Sequence, residues 1–131
     1  MAERQDTRSR RGGHRQSGQV ALEYLGFVPL LLLVGFFAIQ MGIVAYTVNQ
    51  AGTAARAAAR TASQDEQDRE LLPETAGRRA TSDWLSRAES MSFTHRGGDN
   101  VTYTAKVKIP SVVPGIEDWG WVERSSTMPR G

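Results

Sequence analysis

The side chain with the clearest chemical consequence in this sequence is Glu23. It stands inside SGQVALEYLGFVPLLLLVGFF, where an ionised carboxylate costs roughly 2.5 to 3.5 kcal/mol on membrane-insertion scales. Such a group either reaches water from near a helix end or is neutralised by a cation held close to it. Gly18, at the end of a polar stretch, precedes it by a fixed short spacing. Other groups capable of chemistry are sparse. The histidines are His14, in a basic tail, and His95, at an expected strand end, so neither a Ser-His-Asp arrangement nor a histidine-rich metal site can be assembled. The acidic residues of QDEQDRE read as a solvated helix face, not as paired catalytic carboxylates. With no cysteine there is neither a disulfide framework nor a thiolate metal site. The expectation is a protein that is not an enzyme, with no metal, no cofactor and no small-molecule substrate. Asn100-Val101-Thr102 fits the N-glycosylation acceptor pattern, which matters only in a glycosylating host.

The elements that position Glu23 follow from charge and hydropathy. From Tyr24 to Val48 run 25 residues without a formal charge, about 37 Å of helix against a hydrocarbon core of about 30 Å. A membrane span over 19–48 follows. A core helix would need more surrounding protein than the rest of the chain supplies, and the apolar region of a cleaved secretory signal is shorter. The formal charge of the 131-residue chain is +2, but it is unevenly placed. Residues 1–18 carry Arg4, Arg8, Arg10, Arg11 and Arg15 against Glu3 and Asp6, whereas residues 49–131 are balanced. By the positive-inside rule the N-terminus is cytoplasmic and the C-terminal part lies outside the membrane. The arginines act as topology determinants, so no nucleic acid partner is expected; the bilayer is. Residues 1–18 lack apolar periodicity and read as a disordered basic leader.

Beyond the span, 49–72 is rich in Ala, Arg, Gln and Glu and is expected to continue the helix to Leu72. A small head follows over 73–131. Ala76, Ala80, Trp84, Ala88 and Met91 recur at steps of four and three, predicting a second, amphipathic helix around TAGRRATSDWLSRAES. VTYTAKVKI alternates strictly, with Val101, Tyr103, Ala105, Val107 and Ile109 on one face, which marks a half-buried strand. Met91, Phe93 and His95 alternate before it, and RGGDN supplies a hairpin loop. A third strand is expected from around Trp119 and Trp121 to Met128. The fold class is therefore α+β: a long N-terminal transmembrane helix continuing outside the membrane, a short amphipathic helix, and a small antiparallel meander of about three strands packed on a helix. Ala38 and Gly42 form a small-xxx-small pair that lets helices approach closely.

The register from Gly18 adds a family resemblance. A mostly basic tail, Gly18, four uncharged residues, Glu23-Tyr24 and then a span resemble the class III signal of type IV pilins and pseudopilins. The Glu-Tyr pair is similar to that of the Flp, or tight-adherence, branch, and VALEYLGFVPLLLLVGFFAIQMG, with a proline soon after the glutamate, resembles TadE-like minor pilins. WVERSSTMPRG is similar to the tails of that group. The resemblance implies cleavage by a prepilin peptidase between Gly18 and Gln19, other pilins and a pilus assembly platform as partners, and a role in assembling a surface pilus used for adhesion. Cleavage would leave an ammonium group on Gln19 that can pair with Glu23 of a neighbouring subunit. At about 4 Å and an effective dielectric near 20 the Coulomb attraction is about 4 kcal/mol before desolvation is subtracted. A rival reading from another class is a single-pass, membrane-tethered accessory or binding protein that forms no filament.

Overall fold

The computed structural model describes residues 13–87 and 89–131, with side chains from Gly18 onward. Its elements are α1 (Gly13–Ser63), α2 (Pro73–Arg79), β1 (Met91–Arg96), β2 (Asn100–Lys108) and β3 (Trp121–Pro129). The chain divides into one unit ending at Phe36 and a second running from Phe37 to Gly131.

The described part of the first unit is helix alone. Its side chains are apolar on every side and exposed, Leu22, Leu25, Leu30, Leu31, Leu32, Leu33 and Val34 among them. A helix with this character all round is stable when its surroundings are apolar. From Gly18 to Ser63 the helix is long and apolar enough to cross a membrane. Pro29 lies inside it; such prolines are tolerated in spans because neighbouring groups or local adjustment re-satisfy the freed carbonyl. Helix also includes Gly13–Gly18, part of the segment expected to be a disordered leader. Residues 1–12 of that leader lie outside the described residues.

In the second unit a three-stranded antiparallel sheet, in the order β1-β2-β3, lies on α1. The face of α1 beneath it is made of alanines: Ala51, Ala54, Ala55, Ala58, Ala59 and Ala62 are all buried. Their spacing of three and four puts them on one side of a helix. Opposite Ala51, Ala54 and Ala55 pack Leu85, Met91, Ala105 and Val107. Ala58, Ala59 and Ala62 meet Val101 and Tyr103. The alternation expected in β2 is present, with Val101, Tyr103, Ala105 and Val107 inward and their neighbours outward. On the outer face, Thr102 and Thr104 exchange hydroxyl hydrogen bonds with Thr127 and Ser125 of β3 at 2.8 and 2.7 Å.

Two helical boundaries differ from expectation. Helix α1 stops at Ser63 and does not reach Leu72. Asp65, Glu66, Asp68 and Glu70 would crowd the negative end of the helix dipole, and the guanidinium of Arg69 instead turns back to donate to the carbonyls of Ala62 and Gln64 at 2.9 and 3.1 Å. These bonds satisfy acceptors that the helix end leaves free. The second helix is shorter than the stripe predicted, ending at Arg79. Beyond it Arg78 donates to the carbonyls of Ser86 and Met91, both at 2.7 Å, and turns occupy 83–85 and 89–90; Ala88 of the predicted stripe lies outside the described residues. Trp84 leaves the expected stripe and stacks on Tyr46 at 5.8 Å, while Leu85 enters the core. Gly77 is where α2 comes closest to its neighbours: a Cβ there would stand 2.7 Å from the Phe93 ring and 3.0 Å from the Ala54 carbonyl oxygen.

Candidate functional site on the long helix

The residues singled out by spacing fall into two groups on α1. In the first unit, Gly18, Gln19, Glu23 and Tyr24 are all exposed. Gly18 and Gln19 lie within the helix, and nothing stands within 4 Å of where a Cβ on Gly18 would be. Glu23 shares a shallow hollow with Val20, Tyr24 and Phe27. Steps of three and four along a helix bring such residues to one side. The helix therefore presents its carboxylate together with two aromatic rings and a valine. Among the described residues the ion pair is Lys106 with Glu123, at 3.4 Å between exposed side chains, and Glu23 has no cationic partner.

Ala38 and Gly42 belong to the second unit and are exposed. A Cβ on Gly42 would meet nothing within 4 Å. Small residues standing open one helical turn apart are what a second helix needs in order to approach closely. Between them in sequence, Gln40 faces the other way and is fully buried. Its side-chain amide donates to the carbonyl of Pro110 and its oxygen accepts from the backbone N–H of Val112, each at 2.9 Å. Gln40 is one of two clearly polar residues in the apolar run from Tyr24 to Val48. Its role depends on a partner about 70 residues away, for which no local signal exists. Thr47, the other polar residue of that run, is also buried and returns its hydroxyl to the carbonyl of Ile43 at 2.8 Å.

The groups considered for catalysis are scattered. His95 is exposed on β1 and stacks on Tyr103 at 5.5 Å. Asp65, Glu66 and Asp68 are exposed beyond the end of α1. Among the described residues no three His, Cys, Asp or Glu side chains converge as metal ligands would. Asn100 is exposed at the start of β2, in register with Pro129. Burial raises the pKa of the Tyr103 phenol, with a smaller contribution from the carboxylate of Glu74 in the same direction and an opposing one from Arg69.

The TadE-like protein family model matches residues 18–60. The match begins at the glycine from which Glu23 is counted and runs almost to the end of α1. It agrees with the resemblance carried by Gly18, Glu23, Tyr24 and the span. A TadE-like segment supports a protein associated with Tad pili, and TadE-like proteins are not a known enzyme family. Neither a curated protein nor a solved structure matches this chain.

Proposed function

On the premise that residues 18–60 form a TadE-like segment, we propose that the chain is a minor pilin or pseudopilin that takes part in assembling a Flp/Tad type IV surface pilus. The observation that carries the reading is the start of the family match at Gly18, in register with an exposed Glu23-Tyr24 pair. The helix over 19–48 anchors the chain in the bacterial cytoplasmic membrane, N-terminus inside, and the head over 73–131 lies outside. A prepilin peptidase cuts between Gly18 and Gln19 on the cytoplasmic face. A protease acts on extended backbone, so the helix must open locally at the cut. Glycine eases this, being about 1 kcal/mol poorer than alanine in a helix and free of a side chain that could clash. The ammonium group formed on Gln19 then neutralises Glu23 of an adjoining pilin, and the attraction fixes the stagger between the two helices. Ala38 and Gly42 allow the close approach. The assembly platform is the partner that receives the subunit.

Mass determination of the chain purified from membranes of its own host tests the processing step. A chain starting at Gln19 is expected; an intact Met1 or Ala2 start would favour the membrane-tethered accessory protein. Glu23→Gln should abolish or sharply reduce filaments while leaving membrane insertion unchanged. Filaments persisting at the parental level in that variant would remove the charge-pairing role.

A further inference from the structure

The irregular segment between β2 and β3, Ile109–Gly120, contains the two prolines Pro110 and Pro114 and lies against α1 beside Gln40 and Phe37. Residues from Val20 to Ile39 amount to about 20 helical positions, or about 30 Å, the thickness of a hydrocarbon core. Gln40 follows directly, and from there one face of the helix is covered by protein. Counted along the sequence, Gln40, to which the segment is hydrogen-bonded, is the first residue after a stretch from Val20 that is long enough to cross the lipid.

Several polar groups of the segment are paired within the protein. Backbone outside helices and strands is tolerated near lipid only when its N–H and C=O groups find partners in the protein. The Gln40 amide satisfies Pro110 and Val112 together. The Ser111 hydroxyl accepts the indole N–H of Trp119 at 3.0 Å and donates to the carbonyl of Ile116. From Val112 to Ile116 the residues the segment turns outward carry no charge: Val112 and Ile116 are each 39% exposed and Pro114 is exposed, with Glu117 and Asp118 exposed directly after them. Trp119, edge-on to Phe37 at 6.2 Å, is half-buried, the amphipathic placement that tryptophan favours at membrane boundaries. Ile109–Gly120 contains no Lys or Arg, and its charged residues are Glu117 and Asp118. A contact of this segment with a membrane would therefore rest on apolar area and not on attraction to anionic headgroups.

We propose that Ile109–Gly120 is a membrane-interface loop: Val112, Pro114 and Ile116 rest in the headgroup layer on the C-terminal side of the span, and the lipid-crossing part of α1 is Val20–Ile39. The inference rests on the reading of α1 as a membrane span. Because the chain has no cysteine, single thiols can be introduced by Ile116→Cys, Val112→Cys, Thr94→Cys and Leu31→Cys and labelled with an environment-sensitive fluorophore. The full chain is reconstituted in phosphatidylcholine vesicles carrying a nitroxide at headgroup or mid-chain depth. Labels at 116 and 112 should be quenched by the headgroup nitroxide several-fold more than the label at 94, which lies on the outer face of the sheet, and the label at 31 by the mid-chain nitroxide. If 31 is quenched while 116 and 112 behave like 94, the loop assignment fails and the span stands. If 31 is not quenched, the span fails and the loop assignment with it. Shielding of 116 from water that disappears as protein is diluted into lipid would identify a second copy as the occupant and overturn the proposal. Quenching at 112 and 116 that is unaltered by protein dilution and by salt supports it.

Discussion

Gln40→Leu tests how the span and the head are coupled. The substitution keeps roughly the same shape and removes both hydrogen bonds of a fully buried amide, one to the Pro110 carbonyl and one from the Val112 N–H. Leaving a buried polar backbone group unpaired costs about 1–3 kcal/mol, so the two bonds set a ceiling of about 6 kcal/mol. Two features of the site bring the figure down. Pro110 is half-buried and Val112 is 39% exposed, so water or headgroups can partly replace the lost partners. A leucine also gains from burial what the amide did not. A net loss of about 2 kcal/mol remains, and it falls on the loop and not on the sheet, whose ladders are intact. The sensitive assay is hydrogen exchange at individual amides in lipid nanodiscs. At about 1.4 kcal/mol per tenfold, exchange at the Val112 amide should rise by about 30-fold. Exchange at Ala105, in the centre of β2, should change little. Gln40→Glu sharpens the test: a protonated carboxyl can still donate to Pro110 and accept from Val112, whereas the ionised form repels the carbonyl. Its loop should be held at acid pH and released as pH rises. Protection of Val112 in Gln40→Leu equal to that of the parent, or loss spread evenly over Val112 and Ala105, would refute a local clamp.

Two further outcomes follow from packing and burial. Gly77→Ala adds a Cβ 2.7 Å from the Phe93 ring and 3.0 Å from the Ala54 carbonyl. Phe93 packs against both core clusters with the Arg78 guanidinium over it at 5.6 Å, so it has little room to yield. Overpacking of about 1–3 kcal/mol should outweigh a helix-propensity gain of about 1 kcal/mol; thermal unfolding in detergent should show a lowered midpoint, partly restored by Phe93→Leu, and a midpoint at or above the parent's would count against the contact. The raised pKa of Tyr103 means that the folded head favours the neutral phenol. The stabilisation is complete below the unfolded value near 10 and is lost as pH rises from there through the folded pKa. Stability followed by near-ultraviolet circular dichroism should fall above about pH 10, and Tyr103→Phe should remove that part of the fall; an identical pH profile in the two proteins would sink the assignment.

How much of this was legible depends on the range of the interactions involved. The register of β2 was, because a strand buried on one face writes its environment into every second residue: Val101, Tyr103, Ala105 and Val107 are inward as the alternation requires. The hairpin was legible from the turn residues of RGGDN, and the third strand, expected from around Trp119 and Trp121 to Met128, runs Trp121–Pro129 although none of its residues is buried. The end of α1 was misplaced because propensity argued for continuing through QDEQDRE, whereas dipole and capping by Arg69 decide it. Trp84 was assigned to an apolar stripe, yet its partner is Tyr46, far away in sequence. The alanine face was present at steps of three and four but was read as helix propensity alone. Alanine contributes little hydrophobic signal, and only the sheet above it reveals that face as core. Glu23 and Gly18 stood out because an unfavourable charge inside an apolar run is conspicuous without any tertiary information.

The alanine face also bears on how the second unit can assemble. Large side chains at positions 51–62 would hold the sheet away from α1; alanines let it settle, and the apolar volume is supplied from the sheet by Met91, Val101, Tyr103 and Val107. Gln40 and Thr47 extend the covered face toward the lipid and use their polar groups within the chain. One side of α1 is thereby occupied throughout the second unit. In the assembly proposed above, a helix from another subunit would approach the remaining side, where Ala38 and Gly42 are small and open. On that proposal head packing and subunit packing would draw on different faces of one helix, and the head would not have to detach for the helices to associate.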